Sequence, residues 1–258
     1  MAGPAVPDRF RLSDLDLRDP HMFVDFLGCQ DFTDTQFAGF SINNELQAGI
    51  QGDEEGDGFL DTSIILEFSP LDQSIAANAM AVGAANCTAP MAGTTCGPLI
   101  TSQAATATLQ TGSECLAPLV GTVKPYSPSV TTPGPVCFVS SSLTLTLDLA
   151  GLVVLTLTDA QIAASFDADP ATALHSGLIR GFLSESVANA TIFPNSIAIL
   201  GGNSLASALP GGSGNCSSGD DRDVHNEVTG WWFYFNFQAQ LLQPAAEEVF
   251  EDGFETVP

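Results

Sequence analysis

The sequence predicts a mainly β protein: an antiparallel β-sandwich of jelly-roll type, with one or two short helices and long disulfide-pinned loops. Three observations predict it. Leu143, Leu145, Leu147 and Leu149 alternate with Thr144, Thr146 and Asp148, and the period of two returns over Leu152–Thr158 and Trp231–Leu241. Glycine and proline are abundant, 24 and 16 among 258 residues, so turns must be frequent. Stretches with a helical stripe are scarce.

Short strands are expected first, at Met22–Leu27, Phe37–Ile42 and Ser63–Phe68, where apolar and aromatic residues cluster between turn residues. Ile75–Val82 carries a faint helical pattern, and Pro118–Pro135 reads as a long loop. Leu143–Leu149 and Leu152–Thr158 then form a hairpin around Ala150-Gly151. Leu178, Ile179, Phe182, Leu183, Val187 and Ala190 fall on one helical stripe, predicting a helix over Leu178–Ala190. A strand at Ile197–Leu200 and a loop at Pro210–Ser218 follow. The last strand sets Trp231, Phe233, Phe235, Phe237, Ala239 and Leu241 on one face, with Trp232, Tyr234, Asn236, Gln238 and Gln240 on the other. Residues 1–243 read as one domain, and 244–258 as an acidic tail.

Charge narrows the function classes. Thirty acidic residues face six basic ones, giving a net charge of −24. Such a chain repels nucleic acid and anionic lipid, and no apolar run is long enough to insert in a membrane. Half of the acids precede residue 73, whereas Ala76–Phe166 holds only Glu114, Asp148, Asp159 and Lys124 as charges. Met1–Pro4 lacks the basic start and apolar core of a signal peptide, and a removed leader replaced by Met fits it. Six cysteines without a Cys-x-x-Cys pair read as three disulfides, hence a secreted, extracellular protein. The expected pairing is Cys87 with Cys96, Cys115 with Cys137 and Cys29 with Cys216, although spacing alone does not choose among the connectivities.

The chemistry-bearing segment is Asp53-Glu54-Glu55-Gly56-Asp57-Gly58-Phe59-Leu60-Asp61. Carboxylates from Asp53, Glu55, Asp57 and Asp61 alternate with turn residues, and Phe59 offers its carbonyl: hard oxygen ligands at calcium-loop spacing. These nine residues resemble the Asp-rich loops of thrombospondin type 3 repeats and dockerins, which implies a structural Ca2+ site. They depart from that pattern at Glu55 and at Ile64, which stands where such loops carry a bidentate acid, so a further ligand is sought at Asp72 or around Asp31 and Asp34. The strand expected from Ser63 argues against a helix leaving the loop, and so against an EF-hand. In the tail, Phe250–Glu255 resembles the short acidic-aromatic ending of some secreted bacterial proteins, which implies location only.

Asp220, Asp221 and Asp223 form a second candidate cation site. Trp232 and Tyr234 are candidate glycan contacts if their face of the strand reaches solvent, beside the amides of Asn236 and Gln238. Catalytic signals are sparse: His21, His175 and His225 share no zinc spacing, and neither a Gly-x-Ser-x-Gly elbow nor a phosphate-cradling loop is present. Asn86, Asn189 and Asn215 begin N-glycosylation patterns. The expected protein is a secreted, calcium-stabilised structural or surface-assembly protein, such as a fibre or coat subunit, rather than an enzyme. Its partners would be further copies or glycans. The alternatives are a carbohydrate-binding module and a hydrolase working through paired carboxylates.

Overall fold

Alternating sequence makes long strands here, and the first of them pairs with the last. The computed structural model describes residues 6–37, 39–149, 151–197, 200–214, 216 and 219–243. The tail 244–258, Ala150 of the expected hairpin turn, residues 198 and 199 of an expected strand, and Asn215 lie outside them. The elements are β1 (Asp8–Asp19), β2 (Phe23–Asp25), β3 (Cys29–Asp31), α1 (Ile42–Gln51), β4 (Ile64–Phe68), β5 (Ala77–Ala84) and β6 (Thr101–Gln110). Then come β7 (Cys137–Ser140), β8 (Leu143–Asp148), β9 (Val154–Phe166), β10 (Ala173–Ser184), α2 (Glu185–Ala190), a 3-10 turn (Leu205–Ser207), β11 (Asp223–His225) and β12 (Val228–Leu241).

The sandwich expectation is corrected to a closed barrel. Eight strands run β1-β4-β5-β6-β7-β9-β10-β12, each antiparallel to the next, and β12 returns to pair with β1 from Phe10↔Leu241 to Asp19↔Tyr234. Alternation tells which side chains share a face; it does not tell whether the sheet closes on itself. The interior is filled: Phe10, Phe68, Phe138, Phe233, Phe235 and Phe237 belong to one continuous buried cluster with Leu145, Leu147, Leu155 and Leu157. Gly177 makes room for this packing, since a Cβ there would lie 2.5 Å from the Phe237 ring.

Two helix expectations fail. Ile75–Val82 is mostly strand β5, and Leu178–Ser184 belongs to β10, with only the short α2 beyond it. Leu178 and Phe182 point outward yet are buried, because the 111–136 loop covers them, while Ile179 and Leu183 face the barrel core. A strand buried on both faces gives a continuous apolar run that imitates a helical stripe. In the other direction, Phe37–Ile42 is not a strand: Phe37 and Phe40 form an isolated bridge, and Ile42 begins α1. All three expected disulfides are formed, Cys29–Cys216, Cys87–Cys96 and Cys115–Cys137. They suggest an oxidising, extracellular environment. No helix among the described residues is long and apolar enough to cross a membrane.

Helix α1 closes a gap in the barrel wall. β4 pairs with β1 only from Asp8 to Arg11, so the edge of β1 beyond Arg11 has no strand beside it on that side. Asn43, Gln47 and Gln51, one turn apart on α1, face this edge. Asn43 accepts from Leu17 N–H at 2.7 Å and donates to Leu17 C=O at 3.0 Å, Gln47 donates to Leu15 C=O at 3.2 Å, and Gln51 to Ser13 C=O at 3.2 Å. The adjoining stripe, Ile42, Leu46 and Ile50, about 100° round the helix, enters the core. Buried Arg11 ties the helix end to the wall, donating to the carbonyls of Ile50 and Thr62 and to Ser63 Oγ. Replacing Asn43 by Ala orphans the N–H and C=O of Leu17, and should destabilise the fold by about 1–3 kcal/mol in urea unfolding. Gln51→Ala, at an exposed rim, should cost far less; equal effects would refute the amide-ladder account.

Candidate functional site

The loop 53–61 leaves the C-terminal end of α1 and enters β4, so it joins a helix to a strand. Gly56 and Gly58 hold φ of 69° and 87°, the left-handed region that side chains disfavour. Asp53 accepts from Asp57 N–H at 3.0 Å and Gly58 N–H at 2.9 Å, Asp57 accepts from Phe59 N–H at 2.8 Å, and both Asp61 oxygens lie 3.2 Å from Glu54 N. Backbone bonds clamp the loop on two sides: Asp61 N–H to Gly52 C=O on the helix side, Leu60 N–H to Cys87 C=O and Ala89 N–H to Gly58 C=O on the disulfide side.

Glu55, Asp57, Asp61 and Asn86 border one concavity of about 230 Å³. Among the described residues no three carboxylate, imidazole or thiol groups converge as ligands around one point. The donor set is all oxygen, which suits a hard cation, but in this conformation the carboxylates bond the loop's own N–H groups. The distant ligands sought from sequence are corrected. Asp72 is taken up by Ser74 N–H and Oγ at the far end of the barrel; Asp31 bonds His21 and Thr33, and Asp34 bonds Asn43 beside the other end of α1. The acids that do approach are Glu45 and Asp148, which border a second concavity with Glu54, Glu55 and Asp61. Burial, then the neighbouring Glu54 carboxylate, raises the Glu45 pKa above its ordinary value.

The other sequence candidates separate. Asp220 pairs with Arg222 at 2.8 Å, and the guanidinium bond holds its carboxyl down at about 2. Asp221 turns inward to accept from the Tyr126 hydroxyl, and burial raises its pKa, as it does that of Asp223 at the start of β11. Trp232 and Tyr234 do not reach solvent: they are 5% and 0% exposed, packed beneath the loop that Cys115–Cys137 pins against the barrel wall. Tyr234 accepts from Leu119 N–H at 3.1 Å and bonds Thr122. The glycan-contact expectation is corrected accordingly, because the face opposite Trp231 is roofed. Asn86 and Asn189 are exposed.

A cleft that sequence reasoning missed lies beside the acidic loop. β7 and β8 together pair with β9, but of these two β6 pairs with β7 alone, from Ala107↔Ser140 to Gln110↔Cys137. The last contacts are Ser141 N–H to Thr106 C=O at 2.7 Å and Thr106 N–H to Ser141 Oγ at 3.1 Å. Beyond them β6 and β8 diverge around a space of about 610 Å³ floored by Ile64, Val82, Leu145 and Leu147. Ladder parity fixes which groups face it. Leu109 bonds β5, so the even residues Ser102 and Ala104 turn their N–H and C=O to the cleft; Leu149 bonds Val153, so Thr146 and Asp148 do the same from β8.

A buried polar cluster sits near the end of β1. The His21 Nδ1 lies 2.6 Å from Asp31 Oδ2, its ring stacks on Tyr126 at 4.0 Å, and its Nε2 is 3.8 Å from Asp34 Oδ2. Burial pushes Asp31 up, but bonds from His21 and Thr33 hold its pKa below the usual value. Asp19, 1% exposed, accepts from Lys124 N–H at 2.7 Å, and its carboxyl is pushed up to about 7, chiefly by burial. Compared with protein-family models, with curated proteins and with solved structures, the chain matches none.

A carboxyl whose pKa is higher folded than unfolded stabilises the fold below its unfolded value, and that contribution is lost as pH rises through the folded value. For Asp19 the window runs from the ordinary aspartate value of 3.8 to about 7. Asp19→Asn, which keeps an acceptor for Lys124, should therefore melt higher than the wild type at about pH 8, by an amount on the order of 2–4 kcal/mol. Melting curves of the two proteins that run parallel across this window would contradict the assignment.

Proposed function

We propose that this chain is a secreted, calcium-stabilised assembly protein that works at the cell exterior, as a component of a surface coat or fibre, and holds its partners by strand addition. The observation that carries the reading is the pair of backbone edges on β6 and β8 that no strand among the described residues pairs, set across an apolar cleft. Unpaired strand edges are templates for another extended chain, which gains main-chain hydrogen bonds along them. The other gap in the wall, beside β1, is covered by amides of α1, whereas this one is left to an incoming strand. The three disulfides support an extracellular setting.

In this reading Asp53, Glu55, Asp57 and Asp61, with the Phe59 carbonyl, hold Ca2+ and brace the cleft's acidic end. The ion would neutralise carboxylates that otherwise repel one another and fix the path from α1 into β4. The oxygen donors and the two left-handed glycines favour it. A site held at about 100 times its dissociation constant adds about 2.7 kcal/mol, so millimolar calcium should raise the melting temperature, chelator should reverse this, and Asp57→Asn should blunt it. No shift at millimolar calcium would remove the ion from the account.

Strand addition has its own measurement. An uncharged alternating Thr-Val peptide, added in excess, should slow amide hydrogen exchange at Ser102, Ala104, Thr146 and Asp148 while leaving the already paired Leu145 and Leu147 amides unchanged. Exchange unaltered at those four amides would sink this reading.

A further inference from the structure

The cleft is open in a way that constrains its occupant. Its walls offer main-chain donors and acceptors from Ser102 and Ala104 on one side and Thr146 and Asp148 on the other. Its floor is apolar, from Ile64, Val82, Leu145 and Leu147. A segment lying along either edge would point alternate side chains down to that floor and the others out beside Thr146 and Ser102. The cleft therefore fits an extended chain with period-two alternation.

One end of the cleft is strongly acidic. Asp148 borders it directly and Glu45 and Glu54 line an adjoining concavity, all three outside the proposed ion site; Asp61, Glu55 and Asp57 adjoin them, and with Asp53 these carboxylates outnumber the charge of a divalent ion. Among the described residues no lysine or arginine borders any of the three. A second copy of this chain, itself at −24, would bring like charge to this rim. A basic group would instead meet a local excess of carboxylate where low-dielectric walls strengthen attraction.

The geometry points to a specific partner class: an extended segment of another protein, alternating apolar and polar, with lysine or arginine at the end that reaches Asp61 and Asp148. It inserts along β6 and β8 through main-chain bonds, and the acids set its identity and orientation. This rests on the strand-addition reading and adds to it the charge and register of the partner.

Two labelled octapeptides test it on the full chain, each alternating Thr and Val, one ending in two lysines and the other in two glutamates, read by fluorescence anisotropy at low and high salt. The lysine peptide should bind at least about tenfold more tightly at low salt, with the gap shrinking at high salt and in Asp148→Asn, which keeps the acceptor for Gly151 N–H. Thr146→Pro and Ser102→Pro each delete one cleft-facing N–H without touching a ladder bond, and each should weaken binding about three- to tenfold. Equal affinity for both peptides overturns the basic partner while leaving strand addition standing. Lysine-peptide binding indifferent to both proline variants places the attraction elsewhere on the surface and overturns the cleft. Self-association that competes with the peptide in sedimentation makes a second copy the occupant and overturns the proposal. Should either proline variant misfold, hydrogen-exchange protection of Ser102 and Thr146 by the lysine peptide decides the same question on the unaltered protein.

Discussion

The constraint that organises this molecule is the mismatch in strand length, which leaves backbone edges that the neighbouring strand cannot pair. A barrel removes edges only where each strand is as long as its neighbours, and here the lengths differ. β1 and β12 run together over most of their length and seal the cylinder. β4 is too short to accompany β1, and side-chain amides of α1 take over its hydrogen bonds. β7 is too short to accompany β6, and among the described residues nothing comparable stands in that gap. One shortfall thus became architecture, and the other an opening.

Much of the local structure was legible because local rules produce it. The hairpin around Gly151, the long final strand and the pinned loop before Cys137 follow from alternation, turn residues and cysteine spacing. What failed depends on distant contacts. Leu178 and Phe182 belong to a strand whose outer face is roofed by a loop more than forty residues earlier, so their burial carries no period-two signal. The reverse happened at α1: Ile42, Leu46 and Ile50 do repeat at helical spacing, but Phe37 and Phe40 nearby suggested a strand. Barrel closure joins residues 10 and 241, a relation that pattern alone does not encode.

The candidate site divides the same way. Asp53–Asp61 is a contiguous segment, and its alternation of carboxylates with turn residues could be read directly; the structure adds that Gly56 and Gly58 both take the left-handed region. Its neighbours could not: Asn86 arrives from the end of β5, Asp148 from the end of β8 and Glu45 from the helix. The acids that were expected to help, Asp31 and Asp34, are drawn instead to His21 and Asn43. In so acidic a chain, proximity in sequence is a poor guide to which carboxylates share a space; the scarce donors, such as Asn43 and His21, decide it.

Cys29–Cys216 gives the molecule a mechanical property. The N-terminal end of β1 and the C-terminal end of β12 lie side by side, so tension applied through the segments flanking them pulls Phe10 from Leu241 and unzips that ladder bond by bond. The tear runs into the disulfide, and from there force passes through the covalent bridge instead of through residues 30–215. β4 to β10, the cleft and the acidic loop are therefore bypassed by the load. The seam is then the part of the domain that bears the load, and the chain on either side of the bridge limits its extension to a length on the order of 150 Å.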